Sequence, residues 1–224
     1  MLADPSHKTD LQLYSYYRSS AAYRVRIALE LKQLNWTQLP INLFKGEHKQ
    51  ADYLQINPQG LVPALETAEG TITQSLAMIE YLDEMYPQIS LMPKAAIDRA
   101  HVRGMAYQIA MEIHPLNNPR VTQYLTSKLA AAESDKRHWY QHWIGVGFTA
   151  LEQRLALSGS NGKYCFGELV TLADLCLIPQ VYNALRFACP MQDYPIIVAI
   201  YEHCQKLPAF LAARPEAQSD CPAS

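Results

Sequence analysis

The chain has 224 residues, 49% of them hydrophobic, and its 19 Lys and Arg nearly balance its 21 Asp and Glu. Binding to a phosphate backbone needs a concentrated excess of Lys and Arg, so this formal charge of −2 argues against a nucleic-acid partner. The apolar stretches are far shorter than the about 20 residues that cross a bilayer, and residues 1–10 are polar, unlike a signal peptide. We therefore expect a cytoplasmic globular protein with a sizeable core and no membrane partner.

Residues 11–86 alternate short strand-like and helix-like segments. The apolar periodicities predict strands at 11–16 and 37–42, helices at 20–34, 51–56 and 75–86, and two short strands within 64–73. The predicted order is strand, helix, strand, followed by strand, strand, helix. This is an α/β arrangement.

From residue 95 onward the strand patterns disappear. Long helical patterns cover 95–114, 121–132, 135–157, 172–187 and 196–206. Residues 87–93 have a proline at each end and form the predicted linker. We therefore place one domain at 10–90 and an all-helical domain at 95–224, whose Ala/Pro/Ser-rich end after Arg214 is expected to be frayed.

The cysteines and histidines carry no metal or disulfide pattern. The five cysteines are odd in number, lie in the last third of the chain and never approach CxxC spacing. Buried small hydrophobic side chains plus one tail thiol are the expected outcome. No HExxH motif or paired His/carboxylate spacing occurs, so we predict no metal.

The first chemical signal is the pair Ser19 and Ser20, where the first strand runs into the first helix. A helix N-terminus carries about half a positive charge and directs backbone N–H groups toward one point, so it stabilises an anion such as a thiolate. Serine is also a preferred N-cap residue. Capping and catalysis both remain open at this point.

The second signal is Gly60-Leu61-Val62-Pro63-Ala64, followed by Gln74-Ser75 at the start of the next helix. A valine before proline at a strand entrance leaves its backbone available to pair with an extended peptide. Ser75 offers a second anion site at a helix N-terminus. An ordinary helix cap explains Gln74 and Ser75 equally well.

These elements occur together with further motifs in a specific order. The segments YYRSSAAYRVRIALELK, INLFKGEH, NPQGLVPALE, QSLAMIEYLDE and TLADLCLIPQVYNALRF resemble, over nearly the whole chain, the zeta-class glutathione transferases, also called maleylacetoacetate isomerases. The resemblance implies a thioredoxin-like α/β N-terminal domain that binds glutathione and an all-α C-terminal domain for a second substrate. It also implies a homodimer.

Site residues follow from the resemblance, position by position. Ser19 would hold the glutathione sulfur as thiolate with Ser20 beside it, and Ala21 stands where animal members have a cysteine. A tyrosine activator, from Tyr14, Tyr16 or Tyr17, is the alternative. The remaining glutathione contacts would be Val62, which pairs with the cysteinyl backbone, a cis Pro63, Gln74 and Ser75 on the γ-glutamyl carboxylate, His48 at the glycine end, and His114, Asn118 and Arg120 from the helical domain.

The resemblance implies a small dianionic substrate, maleylacetoacetate, which glutathione, as a recycled cofactor, helps convert to fumarylacetoacetate in tyrosine and phenylalanine breakdown. Arg18 and Arg186 would hold its carboxylates because a guanidinium fork suits them; solvated arginines are the alternative. Three other functions stay open: maleylpyruvate isomerisation, conjugation or dehalogenation of small α-halo acids, and a non-catalytic binding protein of the same fold. Thr171-Leu172-Ala173-Asp174 fits a capping box, so Asp174 is predicted to serve folding.

Overall fold

The computed structural model describes residues 11–222, which form two compact units. Unit 1 contains the described residues up to Ser90 and those from Pro208 onward, and unit 2 is Leu91–Leu207. The domain boundary predicted between 90 and 95 lies close to this division. The helical domain predicted over 95–224 differs at its end, because residues 208–222 pack with unit 1. The polar segment 1–10 lies outside the described residues.

Unit 1 is built on a four-stranded mixed sheet in the order β2-β1-β3-β4. Its strands are β1 (Leu11–Ser15), β2 (Trp36–Pro40), β3 (Ala64–Thr67) and β4 (Gly70–Thr73). β1 pairs parallel with β2 and antiparallel with β3, and β4 closes a hairpin with β3. The predicted βαβ-then-ββα order is confirmed, and it gives the thioredoxin-like sheet that the resemblance implied.

The helices of unit 1 are α1 (Ser20–Leu31), α2 (Ala51–Ile56) and α3 (Ser75–Met85), with a short 3₁₀ turn at Glu47–Lys49. α1 buries nine of its residues and ends at the C-cap Lys32. The Lys32 ammonium is buried and donates to the Asp83 carboxylate at 2.8 Å and to the carbonyls of Tyr86 and Ile89 at 2.9 and 2.7 Å. This lysine ties the end of α1 to the end of α3 and the segment after it.

Unit 2 consists of helices, as predicted. They are α4 (Ala96–Tyr107), a π-helical turn (Gln108–Ile113), α5 (His114–Asn117), α6 (Pro119–Leu129), α7 (Glu133–Leu157), α8 (Leu172–Arg186) and α9 (Pro195–Cys204). No helix among residues 11–222 combines the length and apolar character that crossing a membrane requires.

The continuous helix predicted over 95–114 instead changes to a π turn in its last part. Pro115 follows directly, and a proline ring clashes with the carbonyl four residues before it. The wider turn accommodates this, because the His114 N–H bonds to the carbonyl of Ile109, five residues back. Gly147 of α7 lies against the turn, where an added Cβ would be 2.3 Å from Ile113 Cδ1.

Residues 208–222 form helical turns with defined contacts, so the fraying expected after Arg214 is not seen in this described part. A further helix, α10 (Pro208–Ala213), is followed by a 3₁₀ turn at Pro215–Ala217. The buried Gln218 amide donates to the carbonyls of Ala212 and Arg214, both at 2.9 Å. The segment after Arg214 is rich in Ala, Pro and Ser, a composition typical of a frayed end. Its contacts with the rest of unit 1 exist only in the folded chain, so the sequence pattern did not reveal them.

Two predictions about unit 2 and the cysteines are confirmed. The Asp174 carboxylate caps α8 by accepting from the Thr171 N–H at 2.7 Å and its hydroxyl at 2.9 Å. It also accepts from the Cys165 N–H at 2.7 Å. The described cysteines are all free thiols, four of them buried and Cys221 of intermediate exposure.

Candidate functional site

The junction between β1 and α1 is a tight turn that ends at Ser19. The Ser19 N–H donates to the carbonyl of Tyr16 at 2.9 Å, and Ser19 has the extended backbone of an N-cap, with φ −69° and ψ 116°. Its Oγ accepts from the N–H of Ala22 at 3.2 Å. The capping role is therefore confirmed, and because this bond uses only a lone pair, the hydroxyl hydrogen can still donate to an anion.

The first turn of α1 adds backbone donors to this hydroxyl. Ser20 is buried, with 3% of its surface exposed. The N–H of Ala21 finds no acceptor among the described residues, as expected for the orphan donors of a helix N-terminus. Hydroxyl, free N–H and helix dipole together favour a negative charge at this point.

The Val62–Pro63 peptide is cis, which agrees with the isomer that the resemblance implied. Val62 is 9% exposed and packs in a cluster with Tyr16, Tyr17 and Tyr53. This packing brings it beside the turn that carries Ser19. The Val62 backbone makes no hydrogen bond to another described residue, so it is free to pair with an extended peptide.

Gln74 precedes α3 in a strained conformation, with φ 71° and ψ 114°. Its amide Nε2 donates to Gln59 Oε1 at 2.8 Å. Ser75 is 7% exposed, and its Oγ accepts from a guanidinium nitrogen of Arg24 at 3.3 Å. Arg24 is itself 2% exposed, so a buried positive charge lies next to the N-terminus of α3. This arrangement suits a carboxylate.

His48 lies on the 3₁₀ turn before α2. Burial lowers the pKa of its imidazole, with a smaller contribution from the charge of Lys49, so the ring is neutral at neutral pH. Its Nδ1 is buried and has no hydrogen-bond partner. Gly60 approaches the His48 carbonyl so closely that an added Cβ would be 3.0 Å from the oxygen, and its φ of +60° also suits only glycine well.

Arg18 lies in the turn before Ser19, over two aromatic rings. Its guanidinium carbon is 5.0 Å from the Tyr17 ring centroid and 5.2 Å from that of Phe44, and one nitrogen donates to the Tyr16 hydroxyl at 3.3 Å. The Tyr14 hydroxyl donates to Glu66 at 3.1 Å. The Tyr14 hydroxyl hydrogen is thus used on Glu66, which argues against Tyr14 as the activating group, whereas the bond from Arg18 to the Tyr16 hydroxyl does not use that hydroxyl's hydrogen.

The candidates in unit 2 lie at helix ends. Asn118 caps α6, since its Oδ1 accepts from the Arg120 N–H at 3.0 Å, while the Arg120 side chain is exposed. Arg186, at the exposed end of α8, donates to Asn183 Oδ1 at 3.3 Å and lies 4.6 Å from the Phe187 ring centroid. His114 begins α5 directly after the π turn. Their ligand roles stay predictions.

Known proteins resemble this chain along nearly its whole length. Residues 9–84 match the family model described as the N-terminal domain of glutathione S-transferases. A probable maleylacetoacetate isomerase of Vibrio cholerae is 48% identical over 212 residues, which are 94% of this chain and 98% of that protein. The holo structure of a maleylpyruvate isomerase, a bacterial glutathione S-transferase in the zeta class, has a TM-score of 0.92 and 42% identity, and the match covers 94% of this chain and 100% of that one. The chain belongs to the zeta class of glutathione transferases.

A second zeta-like structure adds ligand information. The maleylacetoacetate isomerase of Methylobacterium extorquens AM1, determined with bound malonate and glutathione, has a TM-score of 0.91 at 36% identity and covers 95% of this chain and 100% of that one. The resemblance inferred from the motifs is thus confirmed. Four features in unit 1 of the present chain fit a bound glutathione: the N-termini of α1 and α3, the Val62 backbone, and His48 Nδ1, which has no hydrogen-bond partner among the described residues.

Three polar residues of unit 1 that support the site were not identified from the sequence. Gln59 holds Gln74, Arg24 supports Ser75, and Arg26 is completely buried behind the Ser19 turn. A signal for the two arginines was available: both interrupt an apolar helix with a charge that has to find a buried partner. Gln59 carried no such signal, because its partner is 15 residues away.

Proposed function

We propose that this zeta-class transferase isomerises maleylacetoacetate to fumarylacetoacetate, with glutathione as a cofactor that is regenerated in each turnover. The carrying observation is the Ser19 hydroxyl at the N-terminus of α1, placed to hold a thiolate. The names of relatives at 48% and 45% identity support the same reaction. The residue pairs Ser19-Ser20 and Gln74-Ser75, both present at helix starts, argue for catalysis rather than for a binding module.

Glutathione, when bound, supplies a thiolate that adds to the cis double bond and leaves again after rotation. The protein's part is to make the thiolate available near neutral pH. Ser19 donates its hydroxyl hydrogen to the sulfur, and the N–H of Ala21 and the dipole of α1 add to the same stabilisation. Ser75, with the buried charge of Arg24 behind it, orients the far end of the tripeptide.

The arginines handle the second substrate. The Arg18 guanidinium lies over the Tyr17 and Phe44 rings, and its fork of N–H donors is proposed to bind a carboxylate. Arg186 is proposed to bind the substrate in the same way, while its contact with Asn183 limits its rotamers. Negative charge that develops during the reaction is stabilised by these fixed cations.

The decisive test is an ultraviolet assay of maleylacetone isomerisation, with and without glutathione, while free thiol is titrated. We expect loss of the cis absorbance that depends on glutathione and consumes no thiol. Consumption of thiol would instead show conjugation. Tight glutathione binding without isomerisation would refute the proposal and favour dehalogenation of α-halo acids.

Maleylpyruvate is the second candidate substrate, because the structure with a TM-score of 0.92 is that of a maleylpyruvate isomerase. Both compounds are small dianions that two arginines can hold. Parallel kcat/KM measurements on maleylpyruvate and maleylacetoacetate, both dianions, separate the two assignments. A preference for maleylpyruvate by more than about tenfold, or about 1.4 kcal/mol in transition-state binding, would assign the second function.

We also propose that the enzyme works as a homodimer in the cytoplasm, in line with the expectation drawn from its motifs. Equilibrium sedimentation of the full chain gives the mass directly. A single species at the monomer mass of 25.3 kDa across the working concentration range would contradict the dimer.

A further inference from the structure

The turn that carries Ser19 is anchored by hydrogen bonds to several of its backbone polar atoms. It spans Tyr16 to Ser19 and is closed by the bond from the Ser19 N–H to the Tyr16 carbonyl at 2.9 Å. The intervening Tyr17 uses both of its backbone groups on side chains from outside the turn. Any shift in the Tyr17 peptide moves Ser19, which follows two residues later.

One anchor is Arg26, whose side chain is 0% exposed. It donates to the Tyr17 carbonyl at 2.9 Å and to the Ser15 hydroxyl at 3.0 Å. Its Nε donates to the carbonyl of Ala213 at 2.9 Å. A single guanidinium therefore joins the end of β1, the turn and the last helix of the chain.

The other anchor is Asp220, near the end of the chain. Its Oδ2 accepts from the Tyr17 N–H at 2.9 Å, across 203 residues of sequence, and its Oδ1 accepts from the Gln38 amide at 2.7 Å. Both carboxylate oxygens are thus engaged, and β2 fixes their orientation. Next to it, Cys221 packs against the Tyr16 and Tyr17 cluster.

We propose that Asp220 is a positioning residue for the thiolate site: the C-terminal segment holds the Tyr17 peptide and thereby sets the place of the Ser19 hydroxyl. This inference rests on the proposed function, because its consequence is a glutathione thiolate. A hydrogen bond to a charged acceptor is among the stronger ones in proteins, and small displacements of a catalytic group are costly in rate.

The charge of Asp220 and its tether act in opposite directions. A carboxylate near the site disfavours a second anion, so removing its charge alone would favour the thiolate. Loss of the tether loosens Ser19 and disfavours the thiolate. Asp220→Asn removes the charge and keeps a carbonyl acceptor for Tyr17, since the Gln38 amide can turn to accept from the new NH₂ group. Asp220→Ala removes both.

The experiment is an ultraviolet titration of thiolate in the full-length protein saturated with glutathione, for the wild type, Asp220→Ala and Asp220→Asn. We expect Asp220→Ala to move the titration midpoint upward by about one pH unit and to lower kcat/KM for maleylacetone about tenfold. Asp220→Asn keeps the midpoint at or below that of the wild type. Gln218→Ala is the matched control, because Gln218 holds the same segment without touching the turn.

An unchanged midpoint in Asp220→Ala overturns the positioning role, as does an equal upward move in Gln218→Ala or in Asp220→Asn. If Asp220→Ala does not fold, Gln38→Ala decides in its place: a raised midpoint supports the tether and an unchanged one overturns it. If the wild type shows a clear thiolate signal but does not isomerise maleylacetone, the proposed function is refuted and the positioning role of Asp220 is not. The titration needs only glutathione, so the two failures are distinguishable.

Discussion

Units 1 and 2 hold their candidate residues by different means. In unit 1, backbone geometry sets the site: Ser19 is an N-cap, Val62 precedes a cis proline, and Gln74 has a positive φ. In unit 2, Arg120 and Arg186 are exposed side chains, and the hydrogen bond of the Arg186 guanidinium is to Asn183, three residues away. The thiolate site is therefore set by backbone geometry, whereas the substrate side depends on long, exposed side chains.

This difference suggests a division of labour. A cofactor that keeps one position throughout the reaction favours a preorganised site, because the protein then loses less conformational freedom when the cofactor binds. A substrate that must rotate about one bond during the reaction needs carboxylate partners that tolerate movement of one end. Backbone donors at the helix N-terminus meet the first requirement, for the sulfur. Guanidinium groups on long side chains meet the second, for the dianion.

The largest effect is expected where unit 2 does use backbone capping, at Asp174. Asp174→Ala leaves the buried N–H groups of Thr171 and Cys165 without acceptors, so we expect about 3 kcal/mol less stability. Glutathione affinity should stay unchanged, because none of these three residues is a candidate glutathione contact. Urea unfolding of the mutant and a glutathione titration measure both quantities.

The pH dependence sharpens this prediction. Burial raises the pKa of Asp174, although the bonds from Cys165 and Thr171 partly oppose it. The folded carboxyl therefore binds its proton more tightly than the same carboxyl in the unfolded chain, where its pKa is about 3.9. The stability that this tighter proton binding adds is fully present below about pH 3.9 and is lost as pH rises through the folded pKa. The stability difference between wild type and Asp174→Asn should shrink with rising pH. Growth of that difference would contradict the assigned direction.

The backbone-held part of the site could be predicted from the sequence. Ser19 and Asp174 are helix caps whose residue types and spacing carry a local physical meaning. The cis Pro63 followed from the motif resemblance, since a Val-Pro dipeptide alone does not specify its isomer. Local chemistry and family motifs were sufficient wherever the partner atom was a near neighbour in the chain.

The next effect is on Ser19. Ser19→Ala removes the hydroxyl that we propose holds the sulfur, so we expect kcat for maleylacetone to fall about 100-fold, as when one donor to a developing anion is removed. The lost cap costs about 1 kcal/mol of stability. Ser19→Thr keeps a hydroxyl and should retain most of the activity. Ser20→Ala is the comparison for the second serine, and a larger loss in it than in Ser19→Ala would reverse the assignment.

Arg18 and Arg186 test the substrate side of the comparison between the thiolate site and the substrate site. Arg18→Ala and Arg186→Ala should each lower kcat/KM for maleylacetoacetate, the dianion, about tenfold, because a charged hydrogen-bond donor to a carboxylate is lost. Glutathione affinity should change less than about twofold, since neither group is assigned to the tripeptide. Arg137→Ala, an exposed arginine on α7, is the matched control. Equal losses of turnover and glutathione affinity would remove the substrate role.

What the sequence did not predict depends on distant partners. Asp220 and Tyr17 are 203 residues apart, and the tail that contains Asp220 has a composition typical of frayed ends. The π turn before Pro115 replaced a predicted regular helix, because hydrophobic periodicity does not register the extra residue in one turn. Contacts that only the assembled sheet and helices create left no pattern in the local sequence.

The smallest effect is expected at His48, which unit 1 holds through a loop rather than a helix cap. His48→Gln should weaken glutathione binding about threefold, the size of one neutral hydrogen bond, with kcat unchanged. Because burial lowers the pKa of His48 below its ordinary value of 6.5, the ring takes up its proton at a lower pH than a free imidazole does. Any step in wild-type glutathione affinity that depends on this ring should therefore lie below pH 6.5. Calorimetric titration checks this, with the exposed His138→Gln as control, and a step in affinity near pH 6.5 that disappears in His48→Gln would show that the imidazole titrates normally.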